Sequence, residues 1–91
     1  MKFEWNKTKA ATNVRKHGIS FDEAATVFAD LLSHTFPDRE HSDDEARFLI
    51  IGMSETGRIL VVSHTDRGEK TRIISAREAI RKERIFYEES R

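Results

Sequence analysis

No cysteine occurs in the 91 residues, which excludes disulfides and thiolate metal sites and fits a reducing compartment. Proline appears once, at Pro37, and glycine four times, so there is no flexible or proline-rich linker to divide the chain. Tryptophan and tyrosine occur once each. No apolar run approaches the roughly 20 residues that cross a bilayer, and the N-terminus has no hydrophobic region like a signal peptide. These absences lead us to expect one domain spanning 1–91, in the cytoplasm, with no membrane association.

Charge is plentiful instead, at 35% of residues, and its net value of zero conceals segregation. Residues 1–18 hold five Lys/Arg and one Glu, a net +4. Residues 19–45 hold one Arg against eight acids, a net −7, and residues 58–84 hold eight Lys/Arg against four acids, again +4. Segregated charge lets one surface meet an anion and another a basic partner, although solvated helices and loops produce it too.

Periodicity and punctuation give the elements. KFEW at 2–5 alternates like a short strand. Asn6 is an N-cap for a helix that Gly18 stops, and Ser20 with Glu23 forms a capping-box pattern for a second helix through about Asp30. LLSHTF (31–36) reads as a strand closed by Pro37, and 38–46 as a polar loop. RFLIIGMS (47–54) and RILVVSHT (58–65) are apolar runs joined by Glu55-Thr56-Gly57, as expected of central strands contacted on both faces. TRIIS (71–75) follows. Ser75 and Glu78 then form a second capping-box pattern, predicting a C-terminal helix to about Glu89. The order β-α-α-β-β-β-β-α makes an α+β fold, a small and mainly antiparallel sheet with two N-terminal helices and a C-terminal one.

The densest chemistry lies in HTDRGEKTRIISARE, residues 64–78. A three-residue Asp66-Arg67-Gly68 turn pairs His64 with Lys70 and Val62 with Arg72, so that His64, Lys70 and Arg72 share a face. A four-residue turn pairs His64 with Thr71 instead and sends Arg72 to the other face. The first register is favoured because Asp-x-Gly suits that turn. Continuing into the helix, Arg77, Arg81 and Arg84 make a stripe at i, i+4, i+7, while Ala76, Ala79, Ile80 and Tyr87 line its apolar side. Glu78–Lys82 and Arg84–Glu88 have the spacing of ordinary helical ion pairs.

Imidazole titrates near neutrality and guanidinium binds phosphate through paired donors. His64 with Arg72 and Arg77 therefore suits metal-free RNA cleavage, in which the 2′-hydroxyl attacks its own phosphate. The acidic loop invites a metal, but it has neither the glycine nor the terminal glutamate of a calcium loop, and its histidine spacing fits no zinc pattern. His17 reads as a helix-end histidine, Trp5 as a core residue, and His34 has no partner visible in the sequence.

The blocks FEWN (3–6), KHGISFDEAATVF (16–28), FPDREHSDDEARF (36–48) and LVVSHTDRGEKTRIISAREAIRKERIFYE (60–88), in this order, resemble the BrnT family. The HT-x-R-G and RIISAR segments carry most of the resemblance; Asn6 stands where the family more often has Asp. The resemblance implies a RelE-like fold and a cofactor-free ribonuclease toxin that arrests translation. It also implies neutralisation by a DNA-binding BrnA-like antitoxin in a hetero-oligomer. It places His64, Arg67, Arg72, Arg77 and Arg84 at motif positions. The expected site is then His64 as base and Arg72 and Arg77 on the phosphate, with RNA contacts from Arg67, Lys70, Arg81 and Arg84. Rival readings are a non-catalytic nucleic-acid-binding module and a regulatory protein-interaction domain.

Overall fold

The computed structural model describes residues 1–90. In chain order the elements are β1 (Lys2–Glu4), α1 (Lys7–His17), α2 (Phe21–Thr26), β2 (His34–Pro37), β3 (Phe48–Met53), β4 (Ile59–Arg67), β5 (Lys70–Glu78) and α3 (Arg81–Glu89). Single turns of 3-10 helix at Val27–Ala29 and Arg39–His41 follow α2 and β2. The five strands form one sheet in the order β1-β5-β4-β3-β2. It is mixed rather than wholly antiparallel, because β1 runs parallel to β5.

Both N-terminal helices start where their caps predict. The Asn6 side chain accepts the Lys9 N–H at 3.0 Å, and Gly18 ends α1 at φ 69°, where a left-handed residue lets its N–H close on the Val14 carbonyl. Ser20 accepts the Glu23 N–H at 3.0 Å. The second half of that capping box does not form, because the Glu23 carboxylate is drawn into a network on the β3–β4 hairpin. It accepts Ser54 Oγ and Thr56 Oγ1, each at 2.7 Å, and Arg58 Nε at 3.0 Å, and its other oxygen pairs with the same guanidinium. Arg58 beside it, helped by the two hydroxyls and opposed by burial, holds the Glu23 carboxyl down at about 2.

Alternation along β3, β4 and β5 gives the sheet two buried faces. Ile50, Leu60, Val62, Ile73 and Ala76 meet Ile19, Phe21, Ala24 and Val27 beneath α1 and α2. Burying a side chain such as Phe21 contributes about 1.5–3 kcal/mol. The opposite face is covered only in part: Ile51 and Val61 meet Ala79 and Tyr87 under α3. The Tyr87 hydroxyl donates to Asp30 at 2.6 Å, tying α3 to the other end of the fold.

Three expectations change. The strand predicted over 31–36 begins at His34, because Asp30 folds the preceding residues into a turn, its side chain accepting the Leu32 N–H and its carbonyl the Ser33 N–H. The Ser75–Glu78 capping box is not used: these residues stay in β5, where Ala76, Arg77 and Glu78 pair with Val62, Val61 and Leu60. Pairing with a long neighbouring strand outweighs a local helix-start signal. The helix starts at Arg81 instead, with Glu83 accepting the Ile80 N–H at 2.9 Å, so no Arg77–Arg81–Arg84 helical stripe exists. Glu78 pairs with Arg58 and Arg84 donates to the Ala79 carbonyl, in place of the expected i, i+4 ion pairs.

The third change is the β4–β5 turn. Arg67 pairs with Lys70 and Asp66 with Thr71, leaving a two-residue turn of Gly68-Glu69. Gly68 sits at φ 62°, the left-handed region that the first position of such a hairpin turn requires. His64 consequently faces Ile73, matching neither expected register. On the far side of β5, where β1 has ended, the Asn13 amide from α1 brackets Ala76. Its Nδ2 donates to the Ala76 carbonyl at 2.8 Å and its Oδ1 accepts the Ala76 N–H at 3.0 Å.

Candidate active site

The structure separates the residues that the sequence grouped. His64 lies on the α1/α2 face, next to Val62, which belongs to the first core. Its ring stands edge-on to Phe28 at 4.8 Å and roughly parallel to Phe48 at 5.8 Å, and the residue is 6% exposed. Its Nδ1 lies 3.4 Å from the Val62 carbonyl oxygen. Burial pushes the imidazole below its ordinary value. The expected pocket of His64 with Arg72 and Arg77 is therefore corrected: the ring is turned into apolar packing, away from both guanidiniums.

Arg72 and Arg77, by contrast, are together on the α3 face. Arg72 is opposite Thr65 and Arg77 opposite Val61, a residue of the second core. Five positions apart on a regular strand, the two would point to opposite sides of the sheet. Here the ladder passes from His64↔Ile73 to Ser63↔Ser75, leaving Ile74 as an extra residue on β5. This β-bulge shifts the alternation by one and returns Arg77 to the side of Arg72.

Each guanidinium is oriented by a carboxylate. Arg72 donates to Glu4 on β1 at 2.8 Å, through one terminal nitrogen. Arg77 grips Glu83 through both terminal nitrogens, at 2.7 and 3.0 Å. Glu83 holds Arg77 above its usual range, and Arg77 in turn holds Glu83 below the usual carboxylate range. At the hairpin tip Arg67 meets Glu45 of the acidic loop at 3.2 Å, opposite an exposed Lys70. Arg81 is exposed on the first turn of α3, while Arg84 is partly committed to the Ala79 carbonyl. Among the described residues, no group of three or more His, Cys, Asp or Glu is placed to hold a metal ion.

Beside the arginines, α3 and the sheet enclose an apolar groove of about 300 Å³, which the sequence did not reveal. Phe36, Leu49 and Phe86 line it, with Lys82 and Glu83 at its border. Two cross-strand rows connect it to β5: Ser75–Ser63–Leu49–Phe36, and Arg77–Val61–Ile51–His34. The signal available in the sequence was Phe86, which lies off the apolar side expected for the C-terminal helix; the exposure of Phe36 and Phe86 is visible only in the fold.

The family model described as "Ribonuclease toxin, BrnT, of type II toxin-antitoxin system" matches residues 5–83. This chain belongs to the BrnT family. Among solved structures it is similar to the Brucella abortus ribonuclease toxin BrnT, known from a 1.1 Å crystal structure, with 28% identity and a TM-score of 0.70. That likeness covers 89% of this chain and 99% of the Brucella one. A comparison with curated proteins gave no match. The BrnT match encloses Arg67, Lys70, Arg72, Arg77 and Glu83 and ends before Phe86. As a BrnT protein the chain is a toxin ribonuclease of a type II toxin–antitoxin system. No helix among the described residues is long and apolar enough to cross a membrane.

Proposed function

We propose that this BrnT toxin cleaves RNA on the α3 face of its sheet, with the scissile phosphate held between Arg72 and Arg77. The observation that carries this is the bulge at Ile74, which puts both arginines on the one face left partly open. Glu4 and Glu83 fix the guanidinium planes while leaving other N–H groups of each arginine for phosphate. Cations held in place before the reaction stabilise the charge that builds on the phosphoryl oxygens. The 2′-oxygen, its proton passing to water, bonds to phosphorus as the P–O5′ bond breaks, with water protonating the leaving oxygen. Lys70, Arg67 and Arg81 extend the positive surface along the chain of the RNA, with Arg84 a weaker contributor. His64 has no part in this contact.

On this reading the charge is supplied by side chains and the reaction needs no metal or other cofactor. The antitoxin of the pair is a BrnA-like DNA-binding protein that forms a hetero-oligomer with the toxin and neutralises it by covering the same face. The fold is read as RelE-like, and the site of action as the cytoplasm, where translated RNA is found.

The experiment is cleavage of single-stranded RNA by purified protein in the presence of EDTA, alongside growth arrest on expression. Arg72→Ala is expected to lower kcat about 100- to 1000-fold, the scale for losing one donor to a developing oxyanion. Cleavage unchanged in both Arg72→Ala and Arg77→Ala would place the phosphate elsewhere.

A further inference from the structure

We infer that the groove between α3 and β2 is a nucleobase subsite, in which a base of the RNA stacks on Phe36 and Phe86 while Lys82 holds the adjoining phosphate. This rests on the RNA-cleavage reading of the α3 face and adds to it the part of the substrate that is recognised.

Phe36 and Phe86 are 44% and 41% exposed, the two exposed aromatic residues among those described, and they lie side by side. Their centroids are 5.6 Å apart and their planes meet at 58°, so they form a wedge-shaped pair in contact, whose outer surfaces rather than the space between the rings can take a base. His34 supports it from the side, edge-on to Phe86 at 5.2 Å and nearly parallel to Phe36 at 6.4 Å. A groove of about 300 Å³ is at the small end for ligand pockets, suited to one flat heterocycle rather than to a helix.

Placement selects the occupant. Phe36 ends the row that begins at Ser75, and that row runs between the rows of Arg72 and Arg77. Three strand spacings separate Phe36 from Ser75, about 14 Å, so a short stretch of single strand joins the wedge to the arginines. Lys82 forms no ion pair within 4 Å among the described residues, and it borders the groove on the side of α3. Aromatic rings beside cations are how proteins hold single-stranded RNA, the rings taking the bases and the cations the backbone.

The test uses 2′-O-methyl oligouridylate and oligoadenylate of about six nucleotides, which block the attack but keep the bases. Phe36→Ala and Phe86→Ala are expected to weaken binding roughly five- to hundredfold, the scale for losing one stacked base. Phe86→Trp should keep it. In cleavage of unmodified RNA the same losses appear in KM with kcat little changed, because stacking acts on bound substrate and transition state alike. One abasic position in the oligomer should weaken wild-type binding by a similar factor and add nothing to Phe86→Ala. Thermal melting at the wild-type temperature shows that the variants are folded.

Wild-type affinity in both alanine variants, or indifference to every abasic position, overturns the inference while leaving RNA cleavage in place. RNA binding that is unchanged while a co-expressed antitoxin no longer copurifies also overturns it and makes the groove a protein-docking site. A wild-type protein that neither binds nor cleaves RNA would overturn the cleavage reading itself and the subsite with it.

Discussion

His64 stands edge-on to Phe28, with ring centroids 4.8 Å apart, on the face of the sheet that α1 and α2 cover. The ring is a wall of the fold. His64→Phe is expected to retain RNA cleavage, whereas His64→Ala leaves a cavity and costs about 3 kcal/mol, within the range for truncating a buried aromatic. Urea unfolding and a cleavage assay on both variants check this. Loss of cleavage in a stable His64→Phe protein would return the imidazole to the mechanism.

The same burial makes a pH dependence. The folded imidazole titrates below its ordinary value of 6.5, so the unfolded chain takes up the proton first. Stability contributed by His64 is complete above pH 6.5 and declines as pH falls below it. Wild type should lose stability over that range, and His64→Phe should lose less.

Glu23 adds a second, more acidic window. Its folded value of about 2 lies under the ordinary 4.5, so its contribution is present above pH 4.5 and is lost as pH falls toward 2. The side chain is 10% exposed but Arg58 is 37% exposed, so water weakens the pair. Glu23→Gln should cost on the order of 2 kcal/mol at neutral pH and flatten the acid limb of the stability curve. An acid limb of undiminished slope in that variant would assign it to other carboxylates.

Arg77 depends on Glu83 for its direction. Glu83→Gln keeps a side-chain oxygen for the Ile80 N–H but removes the charge that grips the guanidinium. The expected result is a fall in kcat of roughly ten- to hundredfold, the cost of a misplaced catalytic group, with little change in melting temperature. An unchanged kcat would mean that Arg77 serves only to pin α3.

Ile74 tests the bulge. Deleting it removes the bulge but keeps the pairing, because Arg72 and Arg77 are then four positions apart on a regular strand and Ile73 and Ala76 still face the first core. A cooperative thermal transition and retained cleavage are expected; loss of that transition would show that the local bend at Ile74 is itself needed. Ile74→Ala keeps the residue count and should remain folded and active.

Much of the fold was legible because its signals are local. Asn6, Gly18 and Ser20 each act through bonds three or four residues away, and all three set the ends that their types predict. The apolar runs at 47–54 and 58–65 became β3 and β4 with ends shifted by at most two residues. Ser75 and Glu78 misled because a capping box competes with strand pairing, and pairing with β4 prevailed. The site was harder to read. Adjacent Ile73 and Ile74 break the alternation and hint at a bulge, yet only the partner strand shows which residue is extra. The error over His64 followed from the turn, since a change of one residue in loop length exchanges the faces of everything beyond it.

The amide of Asn13 occupies the outward-facing N–H and C=O of Ala76, the position that a further strand would use. Bare sheet borders invite copies of a chain to zip together into aggregates. With that position taken by a side chain of its own helix, β5 offers another chain no open backbone there, on the very strand that carries both arginines.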